Sequence, residues 1–278
     1  MNLSTEFGPR IDPRDHLEDD RAALLRLLRD LRPDEWERPT AAAPWTVRHV
    51  VAHLLGDDLG RLSRDRDSHR TTEPTPGEPL AALVHRINDE WVRATDRLSP
   101  RVLVDLLELT SAQVAGLWRS ADLDAVGGAV SWAGPTPAPV WLDCAREFTE
   151  FWVHQQQIRD ATGRAGQSGP PVLHVVLDTF VRAVPHTLAA HPRPDGTTLA
   201  VVVAGAGGGR WTWHCAQGRW WWTRPGETAD TEVVFGDGDT LWRLCTRMLE
   251  PAEVQDRVSV RGDRALGAAA LEIVSIIR

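Results

Sequence analysis

The sequence predicts an α+β protein of two domains, in which a bundle of four long helices is followed by a smaller domain of strands and helices. Two observations lead to this prediction. Apolar residues recur at helical spacing through most of the N-terminal half, whereas short β-like segments dominate later. Between the two regions, residues 163–171 are rich in glycine and proline and have the composition of a linker. The expected domains are therefore 1–165 and 172–278.

The first domain is expected to contain four main helices and one shorter helical stretch. Thr46 is expected to cap the second helix, because its side-chain oxygen can accept hydrogen bonds from N–H groups of the first turn. The main helices are expected at 15–31, 46–65, 80–98 and 140–162, the shorter stretch at 102–118, and breaker-rich loops at 68–79 and 127–139.

The second domain is expected to be α+β, because β-like segments with glycine-bearing connections alternate there with helical ones. Strands are expected at 198–204, 210–215, 219–223, 231–235 and 257–261, and helices at 172–190, 239–249 and 264–277.

Tryptophan is concentrated in two of these strands. Alternation puts Trp211 with Trp213 on one face, and Trp220 with Trp222 on one face. The pattern predicts an aromatic hairpin that packs against helices, and the functional alternative is an apolar wall facing a cleft. The glycine-rich segment 205–209 is interpreted as a hairpin loop rather than a phosphate loop, because no Gly-Lys-Ser/Thr follows it.

Composition excludes several classes of function. A formal net charge of −8 argues against nucleic-acid binding, because phosphate recognition draws on clustered basic side chains. No apolar run reaches transmembrane length, and the N-terminus lacks the pattern of a signal peptide. Cys144, Cys215 and Cys245 are widely spaced, so neither a disulfide framework nor a thiolate zinc site is predicted. We expect a reduced, cytoplasmic protein without a membrane or nucleic-acid partner, and the sequence does not indicate its oligomeric state.

Glu150 and His154 are the most informative pair in the chain. A helix places residues four apart on one face, so this carboxylate and this imidazole can bind one ion. His53 lies in another apolar helical stretch and is the best candidate for a third ligand. Two imidazoles and a carboxylate would leave a fourth zinc position open. By spacing alone, the alternative is an ordinary surface pair.

Two segments around these residues carry a family pattern. The first segment is 36–55, in which Trp-Glu-Arg-Pro-Thr is followed by Pro-Trp-Thr-Val-Arg and then by a predicted helix that contains His53-Leu54. The second segment is 147–163, which contains a Glu, three further residues, a His and, at its end, Ala-Thr-Gly. Both resemble the mycothiol-dependent maleylpyruvate isomerase family. The resemblance implies a DinB-like four-helix bundle followed by a sterol-carrier-like domain. It also implies zinc held by His53, Glu150 and His154, and mycothiol as the thiol.

The chain departs from this pattern at two positions beside the expected ligands. His49 stands where many members have Asp, and Gln157 stands where an Asp often follows the second zinc histidine by three residues. Carboxylates there would orient ligand imidazoles. His49 is also four residues before His53, so it is a second candidate ligand that ranks below the other three. The simpler interpretation is that His49 only forms hydrogen bonds near the site.

These residues and the resemblance together predict a zinc-dependent enzyme. A metal-bound low-molecular-weight thiol would add to an electrophilic small molecule, as a cis-trans isomerase or as an S-transferase. One alternative is a metal-dependent hydrolase with Glu147 as its base, although an ion-pair or scaffold role suits Glu147 better. Another is a non-catalytic carrier of an apolar small molecule. Two histidines and a carboxylate also suit Fe²⁺, but the resemblance favours zinc. Arg257 and Arg261 are candidates for binding a substrate carboxylate, with surface solubility the simpler role.

Overall fold

The computed structural model describes residues 6–69, 74–166, 169–223 and 228–277. It confirms the predicted fold class, because a helical N-terminal region is followed by a smaller region that contains a five-stranded sheet. By contacts the chain forms two compact units, a helical unit of Pro13–Ala121 with Glu147–Gln167, and a sheet unit of Met1–Asp12, Asp122–Arg146 and Ser168–Ile277. The expected domain limits of 1–165 and 172–278 stay a prediction.

The helical unit is built from helices that agree closely with the predicted ones. Its helices are α1 (Arg14–Arg29), α2 (Val47–Arg61), α3 (Leu80–Ala94), α4 (Pro100–Ser120) and the later part of α5 (Val140–Thr162). Thr46 occupies the N-cap position of α2, as expected. Part of the expected loop at 68–79 lies outside the described residues.

The stretch expected to be the shorter helix is longer and more central than predicted. Helix α4 has 21 residues, begins at Pro100, and packs against both α1 and α2. The Ser99 side chain accepts a hydrogen bond from the Val102 N–H, and proline is well tolerated at the first helical position. The Ser-Pro pair is therefore a helix start, and α3, which buries only Val92, packs chiefly on α2.

The core of the helical unit surrounds α2. Six apolar residues of this helix are almost fully buried and together extend beyond a single face: Val47, Val50, Val51, Ala52, Leu54 and Leu55. A helix of that kind belongs in the centre of a bundle. Three polar side chains of α2 are buried together with these apolar ones: His53, Asp58 and Arg61.

The sheet unit has seven described strands in two sheets. A small hairpin, β1 (Val126–Ala129) with β2 (Pro137–Pro139), lies where a loop was expected. The larger sheet has the order β5-β4-β3-β6-β7, in which β3 is antiparallel to β4 and parallel to β6. Its strands are β3 (Thr198–Val203), β4 (Gly209–Ala216), β5 (Arg219–Trp222), β6 (Thr231–Phe235) and β7 (Val258–Arg261), and the unit's helices of eight or more described residues are α6 (Pro170–Phe180), α7 (Gly238–Cys245) and α8 (Arg264–Leu271).

The tryptophans of β4 and β5 form the predicted aromatic hairpin. Trp213 pairs with Trp222 across the two strands, and their ring centroids are 5.0 Å apart in an edge-to-face arrangement. Trp211, Trp213 and Trp220 are buried, and Trp211 donates a hydrogen bond to Asp178 on α6. This burial supports the packing interpretation over the cleft wall. The segment 205–209 joins β3 to β4 as a hairpin loop, as predicted.

No helix among the described residues is both long enough and apolar enough to cross a membrane.

Candidate metal site

Two helices of the helical unit bring the three predicted ligands together. His53 comes from α2, and Glu150 and His154 come from α5. Glu150 Oε1 lies 3.0 Å from His53 Nε2 and 3.1 Å from His154 Nε2. One donor atom from each residue can be chosen so that all three lie within 4.8 Å of one another. The separations of 3.0 and 3.1 Å suit bonds of about 2.0–2.2 Å from each donor to a common zinc ion.

Gln157 orients the imidazole of His154. His154 Nδ1 lies 2.8 Å from Gln157 Oε1. An amide oxygen can only accept, so Nδ1 carries the proton and donates it to Gln157. With Nδ1 as the donor to Gln157, Nε2 of the neutral ring carries the lone pair on the side that faces Glu150 Oε1. An imidazole held in this way can present that lone pair to a metal ion, which is the arrangement expected of a ligand histidine.

His53 is a buried imidazole in an anionic environment. Burial alone would lower the pKa of His53, but the Asp57 carboxylate and the hydrogen bond with Glu150 outweigh burial and raise the pKa to about 9. Its Nδ1 is buried and has no hydrogen-bond partner among the described residues. The Trp45 ring lies against it, with centroids 4.9 Å apart. His53 therefore sits where positive charge at Nε2 is favoured.

Glu150 is the anion of the cluster and its most accessible member. Burial would raise the pKa of the Glu150 carboxyl, but hydrogen bonds with His154 and His53 hold that pKa well below the usual 4.5. The Glu150 side chain is 27% exposed, against 6% for His53 and 11% for His154. The cluster is thus closed on the imidazole side and open on the carboxylate side, where an external molecule can approach.

Asp57 is a neighbour of the cluster that our sequence reasoning did not identify. Its Oδ2 lies 3.7 Å from His53 Nε2, and its side chain is 32% exposed. The signal was available, because Asp57 follows His53 by four residues just as His154 follows Glu150.

The structure gives His49 a different role from metal binding. His49 Nδ1 accepts a hydrogen bond from the Thr46 N–H at 3.3 Å, which helps to cap α2. Its Nε2 lies 3.8 Å from Asp96. Both ring nitrogens of His49 thus face groups other than the cluster, so the simpler interpretation of this histidine is the better one.

Glu147 is held in a buried ion-pair network one turn before Glu150. Glu147 Oε2 accepts from Arg61 Nε at 3.0 Å and Nη2 at 2.8 Å, and its Oε1 lies 3.4 Å from Arg21 Nη2. Arg21 also binds Asp58, and Arg61 also binds Asp65. Both oxygens of Glu147 are thus occupied by guanidinium groups. Glu147 therefore has the ion-pair role that the sequence analysis favoured. It is also badly placed to accept a proton from water.

The remaining candidates are not members of this cluster. All three cysteines are buried and free, and burial raises the pKa of the Cys245 thiol to about 12, so the ionised form is disfavoured. Arg257 is exposed, and Arg261 lies 3.4 Å from Glu232 at the sheet surface. The positions of the two arginines therefore suit surface roles.

Comparison with known families agrees with the helical unit. A family model described as the mycothiol maleylpyruvate isomerase N-terminal domain matches residues 17–159, just over half of the chain. The matched region contains His53, Glu150 and His154.

Individual relatives are distant. An uncharacterised protein of Mycobacterium tuberculosis is 27% identical over 210 residues, which cover 73% of this chain and 77% of that protein, and its counterpart in a second strain matches equally. The crystal structure of a mycothiol-dependent maleylpyruvate isomerase aligns with a TM-score of 0.54 at 14% identity, covering 89% of this chain and 90% of the other. A mutant of an enzyme with the same name aligns with the same score at 15% identity. At such identity the likeness shows a shared fold.

Proposed function

Because the chain belongs to the mycothiol maleylpyruvate isomerase N-terminal domain family, we propose that it is a metal-dependent enzyme that uses a low-molecular-weight thiol. His53, Glu150 and His154 would hold the metal, which we propose is zinc. Mycothiol is the thiol that the family name indicates, and the co-substrate would be an electrophilic small molecule.

The observation that carries this proposal is the convergence of two imidazole Nε2 atoms on one carboxylate oxygen. Gln157 fixes the proton of His154 on the far side of the ring, so the near side is free to donate a lone pair. Bound zinc would act as a Lewis acid that lets a coordinated thiol ionise near neutral pH. Glu150 is the most exposed of the three side chains, so the thiol and its electrophile would approach the site from that side.

The chemistry that follows is addition of the thiolate to a conjugated alkene. A carbon–sulfur bond forms, and the alkene electron pair moves onto the conjugated carbonyl. The former double bond can then rotate, and loss of the thiolate restores the alkene with the other geometry. That sequence is cis-trans isomerisation without net consumption of thiol. If the adduct is protonated at carbon and released instead, the enzyme is an S-transferase, so retention of the thiol in the product distinguishes the two.

The two alternatives have less support. A metal-dependent hydrolase needs a base near its water, and both oxygens of Glu147 are occupied by Arg21 and Arg61. A carrier of apolar molecules has no use for two imidazoles and a carboxylate grouped as metal ligands, and the tryptophans that suggested a carrier are largely buried. We therefore favour the thiol-dependent enzyme.

The first test is the metal content of protein purified without added metal, measured by elemental mass spectrometry. We expect about one zinc per chain in the wild type, and loss of that zinc in His154→Ala. The matched control is His49→Ala, which removes a nearby imidazole outside the cluster and should keep its zinc. Wild-type protein that stays metal-free after zinc is supplied would overturn the proposal and favour the carrier.

The second test is thiol-dependent turnover. Zinc-loaded protein with mycothiol should isomerise a conjugated enone or enoate, or add the thiol to it, and His154→Ala should do neither. Zinc-loaded wild type that hydrolyses ester or amide probes and ignores thiols would favour the hydrolase instead.

A further inference from the structure

The two helices that form the cluster contribute matching pairs of side chains. On α5 the pair is Glu150 and His154, and on α2 it is His53 and Asp57, each pair being four residues apart. His53 Nε2 therefore faces two carboxylates, Glu150 Oε1 at 3.0 Å and Asp57 Oδ2 at 3.7 Å. One imidazole and one carboxylate come from each side.

The longer of these distances is informative. At 3.7 Å, Asp57 Oδ2 is too far from His53 Nε2 for a hydrogen bond. Two donors bound to one ion by bonds of about 2.0–2.2 Å, however, stand roughly 3–4 Å apart. Asp57 is therefore spaced from His53 as a fellow ligand would be. It is also one-third exposed, so its carboxylate can adjust to an ion without a change in the packing of α2.

We propose that Asp57 is a fourth protein ligand of the metal site, which completes a set of two imidazoles and two carboxylates. This inference rests on the proposed function, because it concerns the same ion. It changes the chemistry of the site in two ways. The two carboxylates neutralise the charge of a divalent ion, and the external thiol must enter as a fifth ligand rather than a fourth. A donor set with more oxygen also favours ions that accept five or six ligands.

Direct ligation can be tested by replacing Asp57 with a residue that reports its own contact with the metal. In Asp57→Cys loaded with Co²⁺, a thiolate bound to the ion would produce a sulfur-to-cobalt charge-transfer band in the near ultraviolet. The matched control is Gly60→Cys, on the same helix, where an added side chain meets open space. Both variants carry the same three buried native cysteines, so any difference between them comes from the new thiol.

We expect the band in Asp57→Cys and not in Gly60→Cys. Its absence from Co²⁺-loaded Asp57→Cys would overturn the inference.

A second measurement uses affinity. Asp57→Asn should weaken Zn²⁺ binding at least about tenfold in competition with a chelating dye, as loss of an inner or supporting ligand does. Asp105→Asn removes an equal charge from the exposed face of α4 and should leave the affinity unchanged. An Asp57→Asn affinity within twofold of wild type would contradict the fourth ligand.

The outcomes separate this inference from the proposed function. If wild-type protein binds Zn²⁺ and His154→Ala does not, the three-residue site stands, and only the variants of Asp57 decide on the fourth ligand. If wild-type protein binds neither Zn²⁺ nor Co²⁺, both the proposed function and the fourth ligand are overturned.

Discussion

Glu147 is a buried carboxylate one turn from Glu150, and its role could be structural or catalytic. Replacing it by glutamine distinguishes these two roles. The wild-type side chain accepts two short hydrogen bonds from Arg61, at 3.0 and 2.8 Å, and a longer one from Arg21 at 3.4 Å. The Arg21, Arg61 and Glu147 side chains are all about 4% exposed. If this network holds α1, α2 and α5 in register, the variant should lose stability before it loses any step of chemistry.

The expected loss follows from what each arginine retains. Glutamine keeps one acceptor oxygen but turns an NH₂ group towards a guanidinium. Arg21 still has Asp58, whose oxygens lie 2.9 and 3.0 Å from it, and Arg61 still has Asp65 at 2.9 Å. Neither arginine is left fully unpaired. The loss in free energy of unfolding should therefore be about 3 kcal/mol, near the lower end of the range for breaking a buried ion pair.

The assay is urea unfolding of metal-free protein, because bound metal would add its own stabilisation. The control is Glu108→Gln, which breaks an exposed pair with Arg29 and should unfold close to wild type. If Glu147→Gln unfolds like the wild type and keeps its zinc, yet loses thiol-dependent activity, Glu147 takes part in the chemistry and our reasoning is wrong.

Three further predictions concern other parts of the molecule. Gln157→Leu should weaken Zn²⁺ binding about 10- to 100-fold, because the Nδ1 proton of His154 loses its acceptor, and an unchanged affinity in a dye competition would contradict this role. Burial raises the pKa of Asp20 from 3.8 to about 7, despite the nearby arginines that lower it, so the folded protein retains a proton that the unfolded chain releases. The free energy of unfolding should therefore fall as pH rises from about 4 through 7. In urea titrations at several pH values, Asp20→Asn should show a smaller fall over this range, and an equal fall in both proteins would mean that Asp20 is not its cause. Trp213→Ala, which removes a fully buried ring packed on Trp222, should cost about 3–5 kcal/mol in unfolding, and a loss below about 1 kcal/mol would mean that the hairpin repacks.

Local sequence rules predicted most elements of the fold, and the exceptions have specific causes. Helix α5 begins and ends where its apolar spacing indicated, at Val140 and Thr162. Helix α4 was predicted two residues too short at each end, at 102–118, because the prediction did not use Ser99-Pro100 as a helix start, although a serine cap followed by proline is one. The β1 and β2 strands have four and three residues in a segment rich in glycine and proline, so no periodicity could reveal them.

The three candidate ligands could be predicted from residue spacing within one helix together with the family pattern. The spacing of four residues indicated the Glu150 and His154 pair, the apolar helical stretch around His53 made it the best candidate for a third ligand, and the resemblance supported all three. The same spacing rule was not applied to Asp57. By contrast, the arginines that hold Glu147 are 126 and 86 residues away along the chain, and only packing of the helices brings them together. Contacts of this kind are set by the tertiary fold.

Gln157 and Asp57 together indicate how charge is arranged around this site. The family pattern often places a carboxylate at the position of Gln157, behind the ligand imidazole, where it would strengthen His154 as a donor. Here a neutral amide accepts the Nδ1 proton at 2.8 Å, which fixes the ring but adds no negative charge. The carboxylate of Asp57 lies instead beside Nε2 of His53, at 3.7 Å. In the proposed site, a carboxylate behind a ligand imidazole would act on the ion through that ring, whereas one beside Nε2 would act on the ion directly. As the proposed fourth ligand, Asp57 would therefore supply at the ion the negative charge that Gln157 does not supply behind His154.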